Sequence, residues 1–177
     1  MRYLMTSVLA VSILAATPAL AQPPGTFGPQ QGDHELTLGA GGQNDHDFNR
    51  GQANATFQLG NYVTRNWLLG VRQDVNWSGG SDSRDTWNAG TRLFADFHLD
   101  MGELRPFIGA NLGYRYGDAV RDTWVAGPQA GAKWYVRDTT FVFGRAEYEF
   151  FFRDNEDIDD GFEDGQFIYT VGIGLNF

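Results

Sequence analysis

From residue 34 onward, apolar residues return at every second position in segments of about 8 to 13 residues, and no stretch carries the 3.6-residue period of an amphipathic helix. Eight such segments are predicted as strands: 34–42, 51–63, 67–77, 87–99, 105–116, 124–136, 140–152 and 166–177. In the third, Trp67, Leu69, Val71, Val75 and Trp77 alternate with Leu68, Gly70, Arg72, Asp74 and Asn76. In the last, Phe167, Tyr169, Val171, Ile173, Leu175 and Phe177 alternate with Ile168, Thr170, Gly172, Gly174 and Asn176. Side chains of a strand alternate between its two faces, so each segment is two-faced. Pro128 stands mid-segment and has no N–H for a ladder, which predicts a bulge or local irregularity there.

A soluble sandwich or ligand-holding barrel also alternates, so the question is which face points inward. The polar face carries Glu35, Arg72, Asp74, Arg92, Asp96, His98, Arg115, Lys133, Arg145, Glu147 and Glu149, interleaved with Gly39, Gly70, Gly90, Gly109, Gly113, Gly127, Gly131, Gly172 and Gly174. On a solvated outer face that density of glycine would only weaken the strands. Inside a narrow eight-stranded barrel it makes room for long Arg side chains that cross the lumen. Setting His98 aside, five basic and five acidic residues share this face, as burial demands of charges.

Tryptophan placement points the same way. Trp67, Trp77, Trp87, Trp124 and Trp134 all fall on the apolar face at segment ends. Trp67 and Trp77, like Trp124 and Trp134, stand ten residues apart on one strand, roughly 33 Å at the usual rise. Tilted near 40°, that projects to about 25 Å, the height of a lipid-facing band flanked by aromatic girdles. The connections, 43–50, 64–66, 78–86, 100–104, 117–123, 137–139 and 153–165, alternate long and short. That pattern and the even strand count predict a transmembrane eight-stranded antiparallel up-and-down β-barrel with short turns and both termini on the periplasmic side.

Three local patterns carry a resemblance. They are Leu59-Gly60-Asn61-Tyr62-Val63-Thr64-Arg65-Asn66-Trp67, the run Arg105-Pro106-Phe107-Ile108-Gly109-Ala110 leading to Gly113-Tyr114, and the alternating C-terminal segment that ends in Phe177. From about residue 34 the chain resembles the small outer-membrane β-barrel proteins of Gram-negative bacteria, the OmpA-like and OmpX-like eight-stranded barrels. The resemblance implies residence in the outer membrane, contact with its lipids and lipopolysaccharide, and insertion by the barrel-assembly machinery. In that family the machinery reads a C-terminal signal, here Tyr169, Val171, Ile173, Leu175 and Phe177. It implies no particular activity, because the family spans structural, adhesive and pore-forming members.

Residues 1–21 read as a secretory signal, with Arg2, an apolar stretch from Leu4 to Ala16, and Ala19-Leu20-Ala21 as the cleavage site before Gln22. Residues 22–33, rich in Pro and Gly, read as a flexible periplasmic spacer. Composition then sharpens the picture. The 177-residue chain has 14 Phe, 7 Tyr, 5 Trp and 23 Gly, yet a negative mean hydropathy, which two opposed faces explain. It has no cysteine, which excludes disulfides and cysteine-ligated metals. Beyond the leader, 12 basic residues face 22 acidic ones, so no basic patch offers itself to nucleic acid.

Candidate chemistry is sparse. The serines beyond the leader are Ser78, Ser81 and Ser83, all assigned to the second outer loop, and the histidines are His34, His46 and His98. Only His46 stands within reach of a loop serine, so no nucleophile–base pair is expected and the chain is not expected to be an enzyme. The fourth outer loop holds Asp154, Glu156, Asp157, Asp159, Asp160, Glu163 and Asp164. Its spacing departs from an EF-hand, and it reads as a solvated acidic loop with weak divalent-cation binding as the alternative. No cofactor is expected, and a monomer is. The lumen charges admit a cross-linked plug, favoured by the narrow bore of eight strands, or a narrow porin-like channel; a lipid-modifying enzyme is a distant third.

Overall fold

The computed structural model describes residues 27–44, 50–80, 83–117, 123–152 and 166–177. Eight strands follow one another: β1 (His34–Asn44), β2 (Arg50–Tyr62), β3 (Trp67–Gly80), β4 (Ser83–His98), β5 (Leu104–Gly117), β6 (Thr123–Tyr135), β7 (Thr140–Phe152) and β8 (Gln166–Asn176). Each pairs antiparallel with its neighbours in sequence, and β1 pairs with β8 from Glu35↔Asn176 to Ala40↔Val171, closing the barrel. Closure leaves no unpaired edge. His34 and Phe177 exchange backbone hydrogen bonds of 2.8 and 3.0 Å, which fixes the start of β1 and the last residue at the end of the barrel that bears the short turns.

Two differences from the sequence reading stand out. The second outer loop, expected over 78–86, is mostly strand: β3 runs on to Gly80 and β4 starts at Ser83, with a register irregularity between Ser78 and Gly80. Trp77 and Trp87, directly opposite one another, therefore stand three and four residues inside their strands rather than at strand ends. Period-two alternation weakens there because Ser78, Gly79, Gly80, Ser81 and Ser83 resemble a loop in composition, while the paired backbone supplies the order. Ser78 and Ser83 thus belong to strands; Ser81 and the three other long loops fall outside, or largely outside, the described residues.

Pro128 produces the smaller of the two expected effects. β6 keeps its ladder to β5 through Ala110↔Pro128. Toward β7 the pairing lapses between Ala126↔Phe150 and Gln129↔Glu147 and resumes in the same register, so the missing N–H interrupts the ladder without a bulge.

The faces are inverted relative to a water-soluble barrel. Leu93, Ile108, Leu112, Val171 and Ile173 are exposed on the outer wall, while the polar face is buried inside.

Candidate functional site

The site is the lumen. Glu35, Arg72, Asp74, Arg92, Asp96, Arg115, Lys133, Arg145, Glu147 and Glu149 all point inward, and none is more than 6% exposed. Toward the loop end, four arginines meet three carboxylates. Arg72 Nη1 reaches Glu147 Oε2 at 2.7 Å, although β3 and β7 lie on opposite sides of the eight-stranded ring. Arg92 bonds Glu147 as well, with Asp74 at 3.2 Å and Glu149 at 2.6 Å. Arg145 Nε approaches the same Glu147 at 3.6 Å, and Arg115 pairs with Glu149 at 3.3 Å. Glu147 is therefore the hub, shared by three guanidinium groups.

Uncharged side chains complete the network. Gln58 Oε1 accepts from Arg72 Nε at 3.1 Å and from Arg145 Nη1 at 3.0 Å. Gln129 accepts from Arg72 and Asn111 at 2.9 and 3.2 Å and donates to Asp96. Thr56 donates to Asp74 at 2.9 Å. These partners matter because a buried ion pair recovers its desolvation only when its remaining donors and acceptors are also satisfied.

Toward the turn end the lumen changes character. Lys133 Nζ bonds both oxygens of Glu35, at 2.7 and 2.6 Å, and lies 5.6, 5.7 and 5.1 Å from the ring centroids of Tyr62, Phe107 and Phe141. Tyr62 donates to Glu35 at 2.9 Å, Asn176 donates to it at 3.3 Å, and Tyr135 donates to Asn176 at 2.7 Å. His98 is fully buried here, its ring 5.6 Å from Tyr62 and 5.2 Å from Phe107. One ion pair inside a ring of aromatics forms the floor of the bore.

The glycines serve this floor as much as the arginines. Phe94, Phe107, Phe143 and Phe141 stand directly opposite Gly70, Gly131, Gly172 and Gly174. A β-carbon at Gly70, Gly131 or Gly172 would lie 2.7, 2.6 or 2.6 Å from the ring across from it. Gly113 seats the stem of Arg92 in the same way, with Arg92 Cγ 2.6 Å from where its β-carbon would be. The expectation that the glycines make room for arginine is too narrow: four of the nine inward glycines seat phenylalanine rings, an arrangement that fits bulky rings into a narrow barrel.

The sequence reading overlooked Arg105, which is fully buried and bonded to Asp100 at 3.1 Å. Its position at the first turn of β5 disguised it, although its parity matches Phe107, Gly109 and Arg115. It also passed over Gln58, Gln129 and Asn176, whose parity was legible but whose lack of charge drew no notice. On the outer wall, the five tryptophans are 44–59% exposed. Trp77, Trp87 and Trp124 stand toward the loop end, and Trp67 and Trp134 toward the turns. Tyr169, Val171, Ile173 and Leu175 on β8, with Phe177 just after it, form one outward row, each at least 41% exposed.

Among the described residues, the serines and histidines do not converge. Ser78 and Ser83 lie at the loop end, and His34 and His98 at the turn end. Ser81 and His46, the one pair with loop proximity, and the acidic positions Asp154, Glu156, Asp157, Asp159 and Asp160 lie outside the described residues.

No family model matches this chain, and no curated protein matches it. Among solved structures it is similar to Neisserial surface protein A (TM-score 0.59, 12% identity, covering 82% of this chain and 96% of that one). It is similar to the outer membrane protein OprG of Pseudomonas aeruginosa (0.57, 10% identity, 85% and 98%). It also matches the N-terminal β-barrel domain of OprF from the same organism (0.52, 18% identity, 84% and 100%). At such identities the likeness speaks for the fold, and the fold that this chain shares with all three is the closed antiparallel β-barrel.

Proposed function

We propose that this chain is an outer-membrane barrel with a structural and surface-interaction role, its lumen closed by a charged network and its loops available for contacts. The observation that carries the reading is the set of ion pairs spanning the bore, with Arg72, Arg92 and Arg145 converging on Glu147 from β3, β4 and β7 itself. An eight-stranded interior is just wide enough to be filled by side chains. The inverted faces, the tryptophans toward both rims and the outer-membrane neighbours support placement in that membrane after cleavage near Ala21 and Gln22. In that placement the turns and both termini face the periplasm, the outer wall contacts lipid and lipopolysaccharide, and the row ending in Phe177 is the assembly signal. The protein is a monomer with no catalytic role.

Planar-bilayer recording of the refolded protein tests the closed lumen. The expected trace is silent; reproducible large single-channel steps would replace the plug with a porin-like channel.

A further inference from the structure

Residues 27–33 do not form the free spacer that their composition suggests. Phe27 packs against the buried cluster of Tyr135, Phe141 and Phe143 on the barrel floor. Its carbonyl accepts from Arg105 Nη2 at 3.1 Å. Gly28 donates to Asp138 O at 3.0 Å, and Gly32 donates to Tyr62 O at 2.8 Å. Tyr62 in turn donates to Asp33 O at 2.9 Å, so the segment continues the β1–β2 pairing for one more step. Three separate turn-end elements, Tyr62, Arg105 and Asp138, thus hold one seven-residue stretch.

The local sequence suits this path. Gly28 has φ +85° and Gly32 φ +96°, values that glycine adopts without strain. A side chain at Gly28 would run into the Arg105 guanidinium. Arg105 depends on the strap in return. Among the described residues its Nε and Nη1 have no hydrogen-bond partner, and its bonds are to Asp100 on a turn and to the Phe27 carbonyl. A guanidinium in that position, with only two oxygens to hold it, is buried because something covers it.

We propose that residues 27–33 are a strap docked in its own binding site, which closes the turn-end mouth of the barrel and seals Arg105 and the aromatic floor from water. The strap rests on the closed-lumen reading and adds a second closure below it. Its removal uncovers a cationic, aromatic-walled recess suited to an extended peptide with a carbonyl or carboxylate.

Arginine modification by phenylglyoxal, read by mass spectrometry on the refolded mature chain, tests this with internal references. Arg65 is 57% exposed and Arg72 is fully buried in the network above. In the wild type, Arg65 reacts while Arg105 and Arg72 stay protected. In Gly28→Val, and in a chain lacking residues 22–29, Arg105 reacts on the order of tenfold faster or more while Arg72 remains protected. Arg105 reacting like Arg65 in the wild type, or staying unreactive in the shortened chain, overturns the strap. Reaction of Arg72 in the wild type instead overturns the closed lumen. Amide exchange in the wild type gives a reading that no variant's folding affects: the Gly28 and Gly32 amides exchange slowly if the strap is docked, and at free-peptide rates if it is not.

Discussion

Replacing Glu147 with alanine is expected to cost the barrel about 3–5 kcal/mol of stability, the usual result of removing one partner from a buried ion pair. The magnitude follows from what remains. Arg72, Arg92 and Arg145 all direct guanidinium nitrogens at this carboxylate, and Gln58 and Gln129 cannot replace its charge. Three cations would then share the bore with Asp74, Asp96 and Glu149, while Arg115 competes for Glu149. Glu147→Gln, which keeps the shape and one acceptor oxygen, should fall between wild type and alanine. Arg65→Ala is the contrasting case: its pair with Asp100 spans 2.9 Å but Arg65 is 57% exposed, and such pairs contribute about 0–1 kcal/mol. Urea-induced unfolding from lipid vesicles measures all three. Equal midpoints for Glu147→Ala and Arg65→Ala would mean that water already fills the bore.

Gly174→Val should also destabilise the barrel, by about 1–3 kcal/mol, although strand propensity alone favours valine over glycine by up to ~1 kcal/mol. Sterics win because a β-carbon at Gly174 would sit 2.6 Å from Phe141 Cε2 and 2.9 Å from Thr37 Cγ2. Phe141 is itself fully buried against Tyr135 and Phe143, so its ring has nowhere to turn. The obstacle consists of side chains alone, so shrinking one should relieve it. The double variant with Phe141→Leu is expected to be more stable than the sum of the single effects, by about 0.5–3 kcal/mol, as for residues in contact. Gly144 points outward, with nothing among the described residues within 4 Å of its would-be β-carbon, and Gly144→Ala should stay within about 0.5 kcal/mol of wild type. Additive costs for Gly174→Val and Phe141→Leu would dissociate the glycine from the ring.

What the chain made legible was parity. Period-two alternation located all eight strands and assigned residues to faces, because a strand has only two faces and the tryptophans and the lumen charges fall on opposite ones. Parity alone cannot say which residues meet across the lumen. Whether Arg72 finds Glu147 or Glu149 depends on the stagger with which β8 closes on β1, a property of the whole ring. For the same reason the hub role of Glu147 and the Lys133–Glu35 pair, 98 residues apart in sequence, were invisible. Arg105 was missed beside a turn, where Asp100 supplies its partner from outside the alternating pattern. The strap was missed because Pro and Gly read as flexibility, while here the glycines permit close approach to Arg105 and a tight turn before β1.

The central claim is that the apolar, tryptophan-bearing wall faces lipid while the charges face inward. The most direct measurement is tryptophan fluorescence of the refolded chain in vesicles whose acyl chains carry bromine at defined depths. With Trp77, Trp87 and Trp124 toward one rim and Trp67 and Trp134 toward the other, quenching should be strongest for bromines near the headgroups and weaker at the bilayer centre, with little quenching by aqueous iodide. Strong iodide quenching with no effect of brominated lipid at any depth would contradict a lipid-facing wall.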